Sequence, residues 1–477
     1  MSYPDTQLFI NGTWAAAKDG RTLPVFNPAT AGEIGTVAHA SISDLELALD
    51  AARDGFTIWS ATGVFDRYKL MRRAADLLRD RADHIARLMT TEQGKPLDQS
   101  RMEIVASADI IDWFAEESRR SYGQVIPSRQ AGVTQITLKQ PVGPVAAFTP
   151  WNFPINQMVR KLSAALAAGC SIIVKAPEET PASPAELVQC FTDAGLPDGV
   201  LNLVFGDPAE ISAYLIAHPI IRKISFTGST SVGKVLASLA GTHMKKSTME
   251  LGGHAPVLVF DDADIDKTVA LMAMHKFRNA GQVCVSPTRF LIQDTVADQF
   301  IEGFAKAAKA ICVGPGTDPK SDMGPLANDR RIPAIERMIT DAVERAATLV
   351  TGGKRIGNTG WFFEPTVLAD VPIDAEIMND EPFGPIAIIN RFDTTDAALS
   401  EANRLPFGLA SYAFTTKSST ATRLQNEMRA GMLTINHLGL ALPELPFGGL
   451  GDSGIGTEGG SDAIEGYLDT RFISHLN

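Results

Sequence analysis

Residues Pro141 to Lys175 read PVGPVAAFTPWNFPINQMVRKLSAALAAGCSIIVK. The run opens on an apolar strand, Val142 to Phe148, and closes on another, Ser171 to Lys175. Between them Ile155 to Ala168 reads as a helix that stops at Gly169, and glycine suits a left-handed helix cap. A strand, a helix and a second strand joined by such short connections imply a parallel sheet. The alternation continues with a helix at Pro184 to Asp193, strands at Val200 to Phe205 and Lys223 to Thr227, and a helix at Ser231 to Ala240. A second alternating set, including VLVF, FLIQ, AIIN and MLTIN, runs from His254 to about Asn436. The expected fold class is α/β, with two doubly wound domains.

Upstream, QLFINGTW reads as a hairpin around Asn11-Gly12, and Ser43 to about Ser121 is helical. Residues Val133 to Gln140, VTQITLKQ, alternate as a strand between turn-rich ends. An edge ribbon is expected there, which invites pairing with another subunit.

The chain has 477 residues, enough for two or three domains, with 45% hydrophobic and 21% charged residues. A net charge of −12 excludes phosphate-backbone recognition and hence a nucleic-acid partner. The longest uncharged apolar run, Leu162 to Val174, is 13 residues. A membrane span needs roughly 20, so no membrane segment is expected. The start, MSYPDTQLFING, lacks a basic region followed by an apolar run, so no secretory signal is read. Four scattered cysteines form no CxxC pair and no metal-ligand spacing, which implies no metal and a reducing, cytoplasmic setting. Cys170 and Cys190 read as core residues.

Cys284 is different. It lies in KFRNAGQVCVSPTR, Lys276 to Arg289, in a turn flanked by Asn279, Ala280 and Gly281. Such a turn can hold a thiol at a cleft mouth, although a buried structural cysteine is an equally common role. Glu250 in MELGGH is a carboxylate in a glycine-rich setting, and Asn152 in PWNFP is an amide able to serve an oxyanion. A charge at a strand entrance and a turn asparagine are their ordinary readings. In KISFTGSTSVGK a strand ends at Gly228 and a helix begins at Ser229, a place for a phosphate or for a simple N-cap. Lys175 and Glu178 in KAPEETP leave the carboxyl end of a strand, where open α/β sheets bind ligands. A carboxylate there accepts from ribose hydroxyls and repels a 2′-phosphate, favouring NAD over NADP.

PWNFP, KAPEETP, FTGSTSVG, MELGG, NAGQVC, EPFGP and PFGG occur in the order found in the aldehyde dehydrogenase superfamily, and the resemblance covers essentially the whole chain. It implies oxidation of an aldehyde to an acid with NAD, NADP being the alternative. It also implies an aldehyde dehydrogenase-like fold with a small β oligomerisation arm. On this resemblance 1–121 and 142–252 are the dinucleotide-binding domain and 253–458 the catalytic domain. Segments 122–141 and 459–477 are oligomerisation elements of a homodimer or homotetramer. Cys284 looks like the nucleophile, Glu250 like the base for the deacylating water, and Asn152 with the Cys284 N–H like the oxyanion hole. Lys175 and Glu178 resemble adenine-ribose contacts. Ser229, with Trp151 and Gly228 nearby, resembles the pyrophosphate site. Glu381 and Phe383 in EPFGP resemble the nicotinamide-ribose clamp, and Glu458 in GTEGG resembles a second carboxylate of part of the family. His254 departs from the family, where many relatives have lysine after ELGG.

Gln157 and Arg160 share a helix face, and Arg278 lies six residues before Cys284. Two arginines near the thiol suit an aldehyde carrying a distal carboxylate, though either arginine can pair locally. The wider pattern resembles bacterial α-ketoglutaric semialdehyde (2,5-dioxopentanoate) dehydrogenases, then succinate-semialdehyde dehydrogenases. Gln157 could bond the former's keto group. Ser286 stands where some of the latter place a second cysteine. Three rivals remain: a binding or structural protein on the same scaffold, a CoA-acylating enzyme, which usually lacks the Glu250 carboxylate, and a Cys-His hydrolase using His254 or His275.

Overall fold

The computed structural model describes residues 3–477. Asn11 and Gly12 adopt positive φ, 50° and 76°, and turn strand Leu8–Ile10 onto Thr13–Ala15. This hairpin edges an eight-stranded sheet. From that edge inward come Leu201–Val204, Ile172–Lys175, Val145–Phe148, Lys223–Thr227 and Lys246–Glu250, all parallel. Gly454–Ile455 closes the far edge antiparallel, so the chain returns to its first sheet after building the second.

The strand order reverses beside Val145–Phe148: the chain first winds towards Leu201–Val204, then crosses to Lys223–Thr227 on the other side. Such a switch point leaves a crevice at the carboxyl ends of the strands. Helix Pro154–Ala168 starts with Pro154 and ends at Gly169 with φ 96°. Every residue of it except Asn156 is buried, which its run of alanines and leucines allows. Helix Leu97–Glu117 packs between it and helix Val64–Asp80. Helix Pro208–Ala217, capped by Asp207, follows Leu201–Val204; its weak amphipathy hid it in the sequence.

The second sheet has seven strands, in the order Thr348–Thr351, Thr366–Ala369, Ile386–Phe392, Pro287–Gln293, Ala255–Val259, Ala410–Phe414 and Met432–Ile435. All but the first are parallel. Each sheet has its own apolar core.

Strand Val133–Pro141 corrects one expectation. It is the middle of a three-stranded sheet and not its edge. The C-terminal strand Leu468–Leu476 pairs along its whole length on one side, and Gln124–Ile126 on the other. Local alternation could not reveal a pairing partner more than three hundred residues away. Among the described residues no helix is long and apolar enough to cross a membrane.

Candidate active site

A cleft of about 1400 Å³ opens at the switch point, and its lining includes Trp151, Lys175, Glu178, Gly228 and Ser229. Lys175 Nζ pairs with a Glu178 carboxylate oxygen at 2.5 Å, and the same oxygen accepts the Gly206 N–H at 3.1 Å. The other Glu178 oxygen stays available for a ribose hydroxyl. Gly228 lies against the Phe226 ring, which a Cβ would meet at 2.4 Å. The exposed Ser229 caps helix Thr230–Thr242 by accepting the Val232 N–H at 3.5 Å. The capping role is therefore real, and Ser229, Ser231 and Val232 of this helix start line the cleft, where a helix N-terminus suits an anion. Val232, Val235 and Leu239 give one apolar wall for a planar base. Carboxylate, glycine, helix N-terminus and apolar wall together fit a dinucleotide.

Trp151 reaches across the cleft to the second sheet's loop, meeting the Phe383 ring edge-on at 5.7 Å. Phe383 has φ 41°, a strained value for a bulky side chain. Arg331 holds this backbone by donating to the carbonyls of Pro382 (2.6 Å) and Phe383 (3.2 Å). Glu381 accepts the Gly253 N–H at 3.2 Å, and burial pushes its carboxyl up to about 7.

The thiol is held by backbone of unusual shape. Asn279, Ala280 and Gly281 are consecutively left-handed, at φ 49°, 52° and 70°. A Cβ on Gly281 would lie 2.0 Å from the Gly384 carbonyl oxygen. Side chains over-determine this segment. Gln93 donates to Asn279 Oδ1 (2.9 Å), Asn279 Nδ2 to the Asn152 carbonyl (3.0 Å), and Gln282 Nε2 to the Asn279 carbonyl (3.0 Å). Cys284 and Val285 then form the centre of a turn closed by Ser286 N–H to the Val283 carbonyl at 2.9 Å. Cys284 is half-buried. Burial, with Glu381 and Glu250 nearby, pushes its thiol up to about 12. It rests as a thiol and needs a base or a bound cation to ionise.

Asn152 Nδ2 donates to the Gln282 carbonyl at 3.0 Å, which leaves its second N–H free beside the thiol turn. Lys95 and Glu103 fix this asparagine from behind. They form a buried ion pair at 2.6 Å. Lys95 Nζ also donates to the Asn152 carbonyl (2.8 Å), and Glu103 Oε1 accepts the N–H groups of Ile155 and Asn156, both at 3.0 Å. Glu103 thus caps a helix whose own first residues supply no cap.

Glu250 is buried, and neither of its carboxylate oxygens has a protein hydrogen bond. Burial and the negative Glu458 raise its carboxyl well above the usual range, against Lys161 and Arg160. Glu458 accepts from Lys161 Nζ and from Ser225 Oγ (2.8 Å). Arg160 donates to Asn156 Oδ1 (3.2 Å) and to the carbonyls of Glu458 (2.6 Å) and Ala441 (2.8 Å). Arg278 stacks over the Phe153 ring at 5.4 Å, and its buried Nε has no protein acceptor. The Oε1 of Gln157 is likewise buried and unpaired. Glu250, Arg160 and Arg278 lie near enough to Cys284 to act on its charge, and Asn152 bonds the carbonyl of Gln282 two residues before it. Both ring nitrogens of His254 are committed, to Thr288 Oγ1 (2.7 Å) and the Ile377 carbonyl (2.9 Å), and His275 meets Tyr412 (3.0 Å). His254 therefore has no ring nitrogen left to serve as the base of a Cys-His pair, and His275 turns its Nε2 to Tyr412 and not to the thiol.

Sequence reading missed Lys95, Glu103, Lys161 and Tyr412. No local signal marks them, because each acts through contacts distant in sequence.

Residues 14–473 match the aldehyde dehydrogenase family. A putative 4-(hydroxymethyl)benzenesulfonate dehydrogenase of Comamonas testosteroni is 45% identical, over 99% of both chains. The NADP(+) succinate-semialdehyde dehydrogenase of Escherichia coli is 40% identical, also over 99% of both. An NAD+ complex of a Bacillus cereus aldehyde dehydrogenase superposes with a TM-score of 0.97 at 32% identity, covering 100% of this chain and 97% of that one. The chain belongs to the aldehyde dehydrogenase family and is an NAD(P)-dependent oxidoreductase acting on aldehydes.

Proposed function

We propose that the chain oxidises an aldehyde with a distal carboxylate, α-ketoglutaric semialdehyde above all, to the acid, here 2-oxoglutarate. The observation that carries the reaction is the unpaired Glu250 carboxyl sharing a pocket with the Cys284 thiol and the half-free Asn152 amide. Cys284 gives up its proton to solvent water, and the thiolate sulfur adds to the carbonyl carbon. The carbonyl oxygen, now negative, takes hydrogen bonds from Asn152 Nδ2 and the Cys284 N–H. Bound NAD(P) supplies the hydride acceptor that turns this adduct into a thioester. Glu250 then takes a proton from water, the hydroxide oxygen bonds the acyl carbon, and the C–S bond breaks to free the acid and the thiol. Trp151, Lys175, Glu178, Gly228, Ser229, Glu381 and Phe383 hold the dinucleotide, and Glu178 makes NAD the preferred form.

For the substrate's far end, the unpaired Arg278 Nε is the strongest support. Arg160 has spent three of its five N–H groups on the protein, leaving two for a carboxylate. Gln157 can turn its amide towards a keto oxygen. Segments 1–121 and 142–252 bind the dinucleotide, 253–458 carries the thiol, and 122–141 with 459–477 join subunits into a homodimer or homotetramer.

A second reading is succinic semialdehyde, named for the Escherichia coli relative. A third is an arylsulfonate aldehyde. The Comamonas relative is named for 4-(hydroxymethyl)benzenesulfonate, whose aldehyde would be this substrate, and Phe153, Leu438, Leu440 and Ala441 pack, like Cys284, against the second sheet's core. The test is kcat/KM for 2,5-dioxopentanoate, succinic semialdehyde, 4-formylbenzenesulfonate and an uncharged aldehyde, each with NAD. Equal values for charged and uncharged substrates would refute the anion reading.

A further inference from the structure

We propose that Tyr412, held by His275, is a positioning residue for the nucleophile turn: its hydroxyl fixes the peptide joining Val285 to Ser286 and thereby the placement of the Cys284 thiol. The inference rests on the reading of Cys284 as nucleophile.

Tyr412 lies on strand Ala410–Phe414, fully buried behind the turn. Its Oη is 2.6 Å from the Val285 carbonyl and 3.0 Å from His275 Nε2. A tyrosine hydroxyl has one proton. The carbonyl can only accept, so Oη donates to it and must accept from His275. His275 is therefore the neutral tautomer with its proton on Nε2. Burial, with Arg278 and Lys276 nearby, keeps that ring neutral, pushing it down to about 3. Its ring also meets the Tyr412 ring edge-on, at 5.5 Å and 73°.

The peptide joining Val285 to Ser286 is thus pinned at both ends. Its carbonyl accepts a hydrogen bond from the Tyr412 hydroxyl, and its N–H closes the turn on the Val283 carbonyl at 2.9 Å. Lys276 Nζ adds a third tie, to Ser286 Oγ at 3.2 Å. On the opposite side Gly253 packs against the Cys284 carbonyl oxygen, which a Cβ would approach to 2.8 Å. With the flanking peptide locked, the turn holds Cys284 in one place. The charged groups facing that sulfur are Glu381 and Glu250, which oppose ionisation, and Arg160 and Arg278, which favour it. None of them contacts the Tyr412 hydroxyl, so removing that hydroxyl isolates the peptide's contribution.

The test is the pH dependence of Cys284 alkylation by iodoacetamide, read at that residue by mass spectrometry, in wild type, Tyr412→Phe, His275→Phe and His275→Gln. One ordinary hydrogen bond is worth up to about tenfold. Tyr412→Phe should slow alkylation near neutrality by up to about tenfold, because the loosened turn no longer holds the thiol in place. His275→Phe should do the same about threefold, and His275→Gln, which keeps an N–H donor, should restore the wild-type profile. KM for NAD should stay unchanged while kcat falls. If Tyr412→Phe does not fold, the two His275 variants carry the comparison. Wild-type alkylation profiles in the folded Phe variants would overturn the proposal. Alkylation reads the thiol whether or not it is the nucleophile, and turnover of Cys284→Ala tests that underlying reading separately.

Discussion

The dinucleotide cleft and the thiol pocket lie side by side, yet the charged side chains assigned to each are treated in opposite ways. In the cleft, Lys175 and Glu178 pair with each other, Glu178 also takes the Gly206 N–H, and Ser229 caps its own helix. In the pocket, both Glu250 oxygens, Asn152 Oδ1, Gln157 Oε1, Arg278 Nε and Glu458 Oε2 are buried without protein partners. Leaving a buried polar atom unpaired costs about 1–3 kcal/mol. Positive φ at Asn279, Ala280 and Phe383 adds strain around the same pocket. The cleft's charged pair is satisfied while it waits, although His39 Nδ1, Thr149 Oγ1 and Asn328 Oδ1 in its lining have no protein partner. The pocket carries unmet hydrogen-bonding capacity that a reacting substrate and water can satisfy.

Removing the pocket's nucleophile should therefore abolish turnover without loosening the cleft. Cys284→Ala should lose about 10⁴-fold or more in kcat while NAD still binds, read by aldehyde-dependent NADH formation and by fluorescence titration. Residual activity within tenfold of wild type would move the chemistry elsewhere.

Glu250→Gln should separate the two halves of the reaction. Deacylation should slow by about 10²–10⁴-fold, whereas the first turnover still releases a burst of NADH. The pH dependence has a definite sign. A base acts as carboxylate, and burial with Glu458 raises the Glu250 carboxyl. Deacylation should accordingly be slow in acid and rise with pH through that raised value, and the glutamine variant should lack this limb. A burst of equal size at every pH in both enzymes, with equal steady rates, would exclude Glu250 as the base.

The support beneath the pocket is testable as stability. Glu103→Ala leaves the Lys95 ammonium buried and alone, and unpairing such a group costs about 3–5 kcal/mol. Urea unfolding should show that loss, with Lys95→Met plus Glu103→Leu recovering much of it. A loss under about 1 kcal/mol would mean that water already reaches the pair.

The parallel sheet was legible because its signal is local. Gly169 stops its helix, Asn11-Gly12 makes its hairpin, and each strand is a short apolar run. Cys284, Asn152 and Glu250 stood out because glycine- and proline-framed turns surround them. The arm was half legible: the alternation of Val133–Pro141 gave the strand but not its pairing with Leu468–Leu476. Lys95, Glu103 and Tyr412 were invisible, since a buried lysine in a loop, a glutamate in a helix or a tyrosine in a strand carries no mark of what it will meet across the fold. Arg160 was read from its helix face as a substrate clamp, and the same side chain also ties down the carbonyls of Glu458 and Ala441.

The cleft itself should yield the mildest change. Glu178 is partly exposed and faces Lys175, so its field is screened and partly neutralised. At an effective dielectric near 20, two charges a few ångströms apart interact by a few kcal/mol, and the lysine offsets much of that. Glu178→Gln should therefore shift the ratio of kcat/KM for NAD over NADP by only about tenfold towards NADP, nearly all of it in KM. The freed Lys175 ammonium would then face the 2′-phosphate, and the shift should shrink as salt rises. Thermal stability should hardly move, because the Gly206 N–H can still donate to the amide oxygen. An unchanged ratio would place the discrimination outside this strand end. A large fall in kcat would mean that the cleft is coupled to the thiol pocket more tightly than its self-paired side chains imply.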